Sequence, residues 1–177
     1  GAASGKGMGK EVLAAAKNAD LIIVMVDVKT VNLINLIFSE LYEAGIRLNE
    51  NRPKVTILKK TEGGIKVNAT TQLSISYETI KSLAFEFRLP NAEITIKEDV
   101  NTNRLIDAFM ANRAYLPYLV VVNKADLGTP ENLAWFIPSE ADLAIISAQD
   151  EKNLDILKEK IWEKLEFMRV YLKKENT

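Results

Sequence analysis

The 177-residue chain carries 23 Lys and Arg against 24 Asp and Glu, with no His and no Cys. A formal net charge of −1 gives no global basic field for nucleic acid or an anionic membrane. Disulfides, thiolate metal sites, a cysteine nucleophile and an imidazole base are excluded, so any chemistry must use carboxylates, lysines, hydroxyls or backbone groups.

The apolar share of 47% is enough for an ordinary core. At about 150 residues per domain the length predicts one domain, or one domain with an insertion. No apolar run reaches about 18 residues and no secretory signal opens the chain, so the sequence predicts a cytoplasmic protein with no membrane partner. It does not begin with Met, which predicts a piece of something longer.

Residues 1 to 9 are small and glycine-rich (Gly1, Gly5, Gly7, Gly9) and read as a loop. A short helix is predicted from Glu11 to Asn18. Leu21 to Val26 is a continuous apolar run closed by Asp27, the pattern of a parallel strand buried on both faces. Val31 to Ala44 has helical spacing and stops at Gly45. Val55, Ile57, the pair Gly63-Gly64, Ile65 and Val67 predict a hairpin. A helix over Ser76 to Arg88, a strand over Ala92 to Lys97 and a helix over Asn101 to Asn112 follow. Residues 47–115 therefore read as a small ββαβα module of α+β type set inside an α/β chain.

The parallel-strand pattern returns at Leu119 to Val122, followed by Asn123-Lys124-Ala125-Asp126, and at Leu143 to Ile146, followed by Ser147-Ala148. A last helix is predicted to start near Asn153, as N-cap, and to carry Leu154, Leu157, Ile161, Leu165 and Met168 on one side. Lys173 to Thr177 is a polar end.

In open α/β sheets ligands sit beyond the carboxyl ends of the strands, where both polar signatures fall. In this order they resemble the guanine-specificity elements of GTPases. An ionised Asp offers only acceptors, and guanine presents N1–H and its exocyclic amino group side by side, so Asp126 can grip that edge bidentately. Adenine lacks this donor pair, and the mismatch can discriminate by ~10⁴. The Lys124 stem can lie along the base, Asn123 can bridge base and loop, and the Ala148 N–H can donate to guanine O6. Asn, Asp and Gly also make ordinary strand-to-helix turns, which is the alternative reading of 123–128. Gly5-Lys6-Gly7-Met8-Gly9-Lys10 imitates a phosphate loop but does not fit G-x-x-x-x-G-K-[ST].

Gly1 to Gly9 (GAASGKGMG) is similar to the stretch that follows switch II in Obg-related GTPases, making Gly5, Gly7 and Gly9 a switch II-adjacent loop. Glu43 to Asn49 (EAGIRLN), the Gly-Gly pair, Asn91-Ala92-Glu93, Lys97-Glu98-Asp99 and Asn112 to Pro117 (NRAYLP) resemble the developmentally regulated GTP-binding (DRG) proteins, in an archaeal-looking version. The resemblance runs from Gly1 to about Lys174.

It implies the C-terminal part of a Ras-like, P-loop NTPase GTPase domain, interrupted by a module similar to ribosomal protein S5 domain 2. The divisions implied are 1–46 (after switch II), 47–115 (the insertion) and 116–177 (guanine specificity). It also implies GTP/GDP with Mg²⁺, slow hydrolysis, and a ribosome- and translation-associated role with a regulatory partner protein. No phosphate loop, Mg²⁺ ligand or TGS domain is found in this sequence, so the chain itself is predicted inactive in hydrolysis, with guanine contacts at Asn123, Lys124, Asp126, Ser147 and Ala148. The competing reading is an RNA- or ribosome-binding module acting through the insertion, using Arg52, Lys54, Lys59, Lys60 and Lys66. In a Ras-like order the strand Leu21 to Val26 has an open edge here, which predicts self-association through it.

Overall fold

The computed structural model describes residues 9–128, 133–139 and 141–170. Two compact units divide the chain: Gly1–Glu50 with Ala114–Thr177, and Asn51–Arg113.

In the first unit, α1 (Gly9–Ala16) leads to β1 (Ile22–Asp27). A 3₁₀ turn, Val31–Leu33, opens α2 (Ile34–Glu43), and Gly45 at φ 85° supplies the left-handed residue that ends it. Next come β2 (Ile46–Leu48) and, from the far end of the chain, β6 (Ala114–Leu116), β7 (Tyr118–Asn123), β8 (Leu143–Ile145) and α5 (Leu154–Lys164).

The strands β1, β7 and β8 form a parallel sheet in that order. Register runs from Ile22↔Tyr118 to Asp27↔Asn123, and from Val120↔Leu143 to Val122↔Ile145. β7 lies in the middle and is buried from Tyr118 to Val122, which explains its unbroken apolar run. On one face Val26, Ile34, Val120 and Val122 pack with Tyr118, whose ring meets Phe38 edge-on at 5.3 Å between centroids. On the other, Leu119, Val121, Ala144 and Ile146 are covered by Leu154, Leu157 and Ile161. Ile23 and Met25 share that second face by register, yet are 41% and 53% exposed.

Two elements were not foreseen. β2 and β6 pair in parallel, Ile46↔Ala114 to Leu48↔Leu116. Pro117, which has no N–H, separates β6 from β7, and its carbonyl accepts the Ile22 N–H at 3.0 Å. The Asn49 side-chain oxygen accepts the Tyr118 N–H at 3.2 Å, closing the corner. This ribbon belongs to the compact unit Gly1–Glu50 with Ala114–Thr177.

The second unit has β3 (Val55–Lys59), β4 (Ile65–Ala69), α3 (Tyr77–Glu86), β5 (Ala92–Ile96) and α4 (Thr102–Met110). The element order is as read, but the hairpin is not. The sheet order is β3–β5–β4, with β5 antiparallel to β3 and parallel to β4. β5 alternates buried Ala92, Ile94 and Ile96 with Glu93 and Thr95, and it takes the centre because it can pair on both edges. The connection 60–64 therefore spans the start of β5. Asn91 holds it there, its Oδ1 accepting the Gly64 N–H at 2.8 Å and its Nδ2 donating to the Thr61 carbonyl at 3.2 Å.

Ser76 and Asn101 cap α3 and α4, accepting from Thr79 N–H (3.1 Å) and Arg104 N–H (3.0 Å). Asn153 does not cap α5 through its side chain. It sits at φ 60° and its Nδ2 donates to the Ile145 carbonyl at 2.8 Å, tying the helix start to β8. α5 stops at Lys164, leaving Met168 outside it and largely exposed. Among the described residues, no helix is long and apolar enough to cross a membrane.

Candidate functional site

Parallel pairing brings the carboxyl ends of β1, β7 and β8 to one edge of the sheet, at Asp27, Asn123 and Ile145. Beyond β7 the chain turns at Lys124, held at φ 61° and ψ 41°, into the 3₁₀ turn Ala125–Leu127 and then Gly128 at φ 130°. The Ala125 N–H donates to the Ile146 carbonyl at 3.0 Å, so the loop after β7 is fastened to the exit of β8.

This fastening sets two side-chain contacts. The fully buried Ser147 donates its hydroxyl to Asp126 Oδ1 at 2.6 Å and accepts the Asp150 N–H at 3.2 Å. Asn123 Oδ1 accepts the Lys124 N–H at 2.8 Å and the Ala148 N–H at 3.0 Å. All five residues singled out in the sequence, Asn123, Lys124, Asp126, Ser147 and Ala148, therefore lie on two loops joined by hydrogen bonds. The Ala148 N–H is engaged by Asn123, so a base oxygen that takes it must share or displace that bond.

The Ser147 hydrogen bond holds the Asp126 carboxyl below its ordinary value, with a backbone hydrogen bond adding to it and desolvation opposing. Asp126 is thus an ionised, exposed acceptor at neutral pH.

Sequence reasoning did not assign a role to Asp27 or Thr30. Asp27 Oδ2 pairs with the Lys124 ammonium at 3.0 Å. Its Oδ1 accepts the Lys29 N–H (3.0 Å) and the Thr30 hydroxyl (2.9 Å). The available signal was a polar side chain closing an apolar parallel strand, as Asn123 closes β7. Gly5 and Gly7 lie outside the described residues, and Gly9 opens α1 instead of belonging to a loop. Among the described residues, no group of three or more carboxylates could hold a metal ion.

The family described as the C-terminal region of the MMR_HSR1 domain matches residues 62–167. The chain is 44% identical to a GTP-binding protein of Methanocaldococcus jannaschii and 39% identical to developmentally regulated GTP-binding protein 1 of Xenopus laevis. It is 36% identical to developmentally regulated GTP-binding protein 2 of Homo sapiens. Each alignment takes in 98% of this chain and 46%, 47% and 48% of the respective relative. This chain belongs to the DRG family. In DRG terms, the parallel sheet β1–β7–β8 is part of a GTPase domain. The chain spans about half the length of the curated relatives it matches.

Proposed function

We propose that this chain carries the base-reading part of the guanine-nucleotide site of a GTP-hydrolysing protein. The observation that carries the reading is the Ser147–Asp126 hydrogen bond at 2.6 Å, between two loops that follow neighbouring parallel strands. It fixes an ionised acceptor at the edge of the sheet where ligands of α/β folds sit. A carboxylate aimed in this way accepts the N1–H and exocyclic amine of guanine, and adenine cannot supply both donors. The Ala148 N–H is the donor for guanine O6, and Asn123 positions that N–H.

Phosphoryl transfer needs positioned phosphates and charge stabilisation by a lysine, a metal and backbone N–H groups. Among the described residues no group of three or more carboxylates could hold a metal ion, and the role proposed for this chain is recognition of the base. Base contacts alone must also offset the cost of immobilising the ligand, so these 177 residues by themselves bind GDP no tighter than roughly millimolar and do not hydrolyse GTP.

The test is Asp126→Asn in the full-length protein that carries this sequence. One acceptor oxygen becomes a donor amide, which suits xanthine, with a carbonyl at C2 where guanine has its amine. Preference should pass from GTP to XTP. Unchanged GTP affinity would overturn the assignment.

For the unit Asn51–Arg113, we infer an S5 domain 2-like insertion acting in translation on the ribosome. One face of its sheet carries Leu58, Glu93 and Lys66 in a row, and Lys60 pairs with Glu93 at 3.7 Å, so a contact through this face meets a mixed surface and not a basic one. RNA binding with a flat dependence of log K on log salt would remove an RNA contact.

A further inference from the structure

Three features are left without a role by the guanine contacts: the apolar groove beside Phe38 and Tyr42, the open face of the second unit's sheet, and the Asp27 carboxylate that pairs with Lys124. Nothing specifies an occupant for the first two, whereas the third has its own geometry and chemistry.

We propose that Asp27 is a positioning residue for Lys124 in the base site, its carboxylate fixing the ammonium so that the lysine stem is held between the ends of β1 and β7. This rests on the guanine-reading proposal. Strand register sets Asp27 level with Asn123, one residue before Lys124. The left-handed turn at Lys124 begins the base loop, and its side chain reaches back to Asp27 at 3.0 Å, 97 residues away in sequence.

Asp27 is itself held. Lys29 N–H and the Thr30 hydroxyl both donate to its Oδ1, and its own N–H donates to Thr30 Oγ1 at 3.1 Å. A lysine stem is long and flexible, and ordering it on ligand binding opposes affinity. An anchored carboxylate orders it beforehand. The Lys124 side chain is 54% exposed, and so open an ion pair adds little to folding stability. The three hydrogen bonds among Asp27, Lys29 and Thr30 close the turn after β1 and fix the carboxylate in the same arrangement. The Lys124 hydrogen bond is also the largest influence lowering the Asp27 carboxyl, so that carboxylate is ionised throughout the neutral range.

The sign of the effect separates this role from bulk electrostatics. Removing a negative charge beside a polyphosphate ligand tightens binding by Coulomb's law alone. Loss of a positioning residue weakens it. The experiment measures fluorescent GDP affinity in the full-length protein for Asp27→Asn, Lys124→Met and the double variant. Asp27→Asn should weaken GDP binding by about three- to tenfold, and should add nothing once Lys124 is methionine.

Tighter or unchanged binding in Asp27→Asn overturns the proposal. So does an equal loss in both backgrounds, which would mean that Asp27 serves only its own turn. If Asp27→Asn does not fold, Thr30→Val replaces it. That variant keeps the carboxylate but loosens it, and it should weaken GDP binding by a smaller factor that again vanishes with Lys124→Met. A loss that persists there overturns the proposal as well. Failure of the guanine reading shows separately, as an Asp126→Asn variant that still prefers GTP.

Discussion

Asp126 is kept ionised by a neighbour that is itself buried. Ser147 donates at 2.6 Å from a fully buried position, and this outweighs the desolvation that would raise the carboxyl. The folded value lies below the ordinary 3.8, so the interaction stabilises the fold above about that pH and is lost as pH falls through the lower folded value. Ser147→Ala should bring the Asp126 carboxyl back up towards 3.8, read by ¹³C titration of the side-chain carboxyl. An unmoved titration would show that the backbone hydrogen bond, and not the hydroxyl, sets the charge state. The same variant leaves the Asp150 N–H without its acceptor, so the turn after β8 should show faster amide exchange at Asp150.

Among the elements, β5 is the keystone of the second unit. Ile94 is fully buried at its centre and pairs across to Ile57 and Val67. Ile94→Ala should cost about 2–5 kcal/mol, by lost burial plus the cavity left behind, measured by urea unfolding of the chain with probes in residues 51–113. Asn101→Ala, which removes the α4 cap, should cost about 1 kcal/mol in the same assay. The sequence disclosed these elements because alternation along Ala92 to Ile96 and helical spacing over Ser76 to Arg88 and Asn101 to Asn112 are local signals. It did not disclose that β5 inserts between β3 and β4. Gly63-Gly64 marks a reversal equally well in a tight hairpin and in a connection crossing another strand. The choice depends on Asn91, which is 27 residues from Gly64. β2 and β6 were missed because three-residue strands carry no period. The base loop was legible because Asn123 to Asp126 and Ser147-Ala148 each follow an apolar strand. Asp27 reads only as a strand end, since its partner is fixed by register with a strand nearly a hundred residues later.

At the scale of the whole molecule, the described sheet of the first unit ends on two outer strands, β1 and β8, and the β1 side carries exposed apolar side chains. Among the described strands β1 pairs only with β7, so its outer edge presents backbone N–H and C=O groups without strand partners. Next to that edge Ile23 and Met25 are 41% and 53% exposed, on a sheet face where α5 covers only β7 and β8. An apolar edge strand of this kind templates pairing with another chain. For these 177 residues on their own we expect a two-fold dimer, in which β1 of one copy lies antiparallel to β1 of the other and the exposed Ile23 and Met25 side chains are brought together. Light scattering should show the mass rising from monomer to dimer with concentration. The amides of residues 22–26 should become more protected from exchange over the same range. Met25→Lys places a charge on that face, as natural edge strands do, and should keep the chain monomeric at a stability cost within about 0.5 kcal/mol. A monomer at every concentration, with 22–26 exchanging freely in both proteins, would show that solvent alone satisfies the edge.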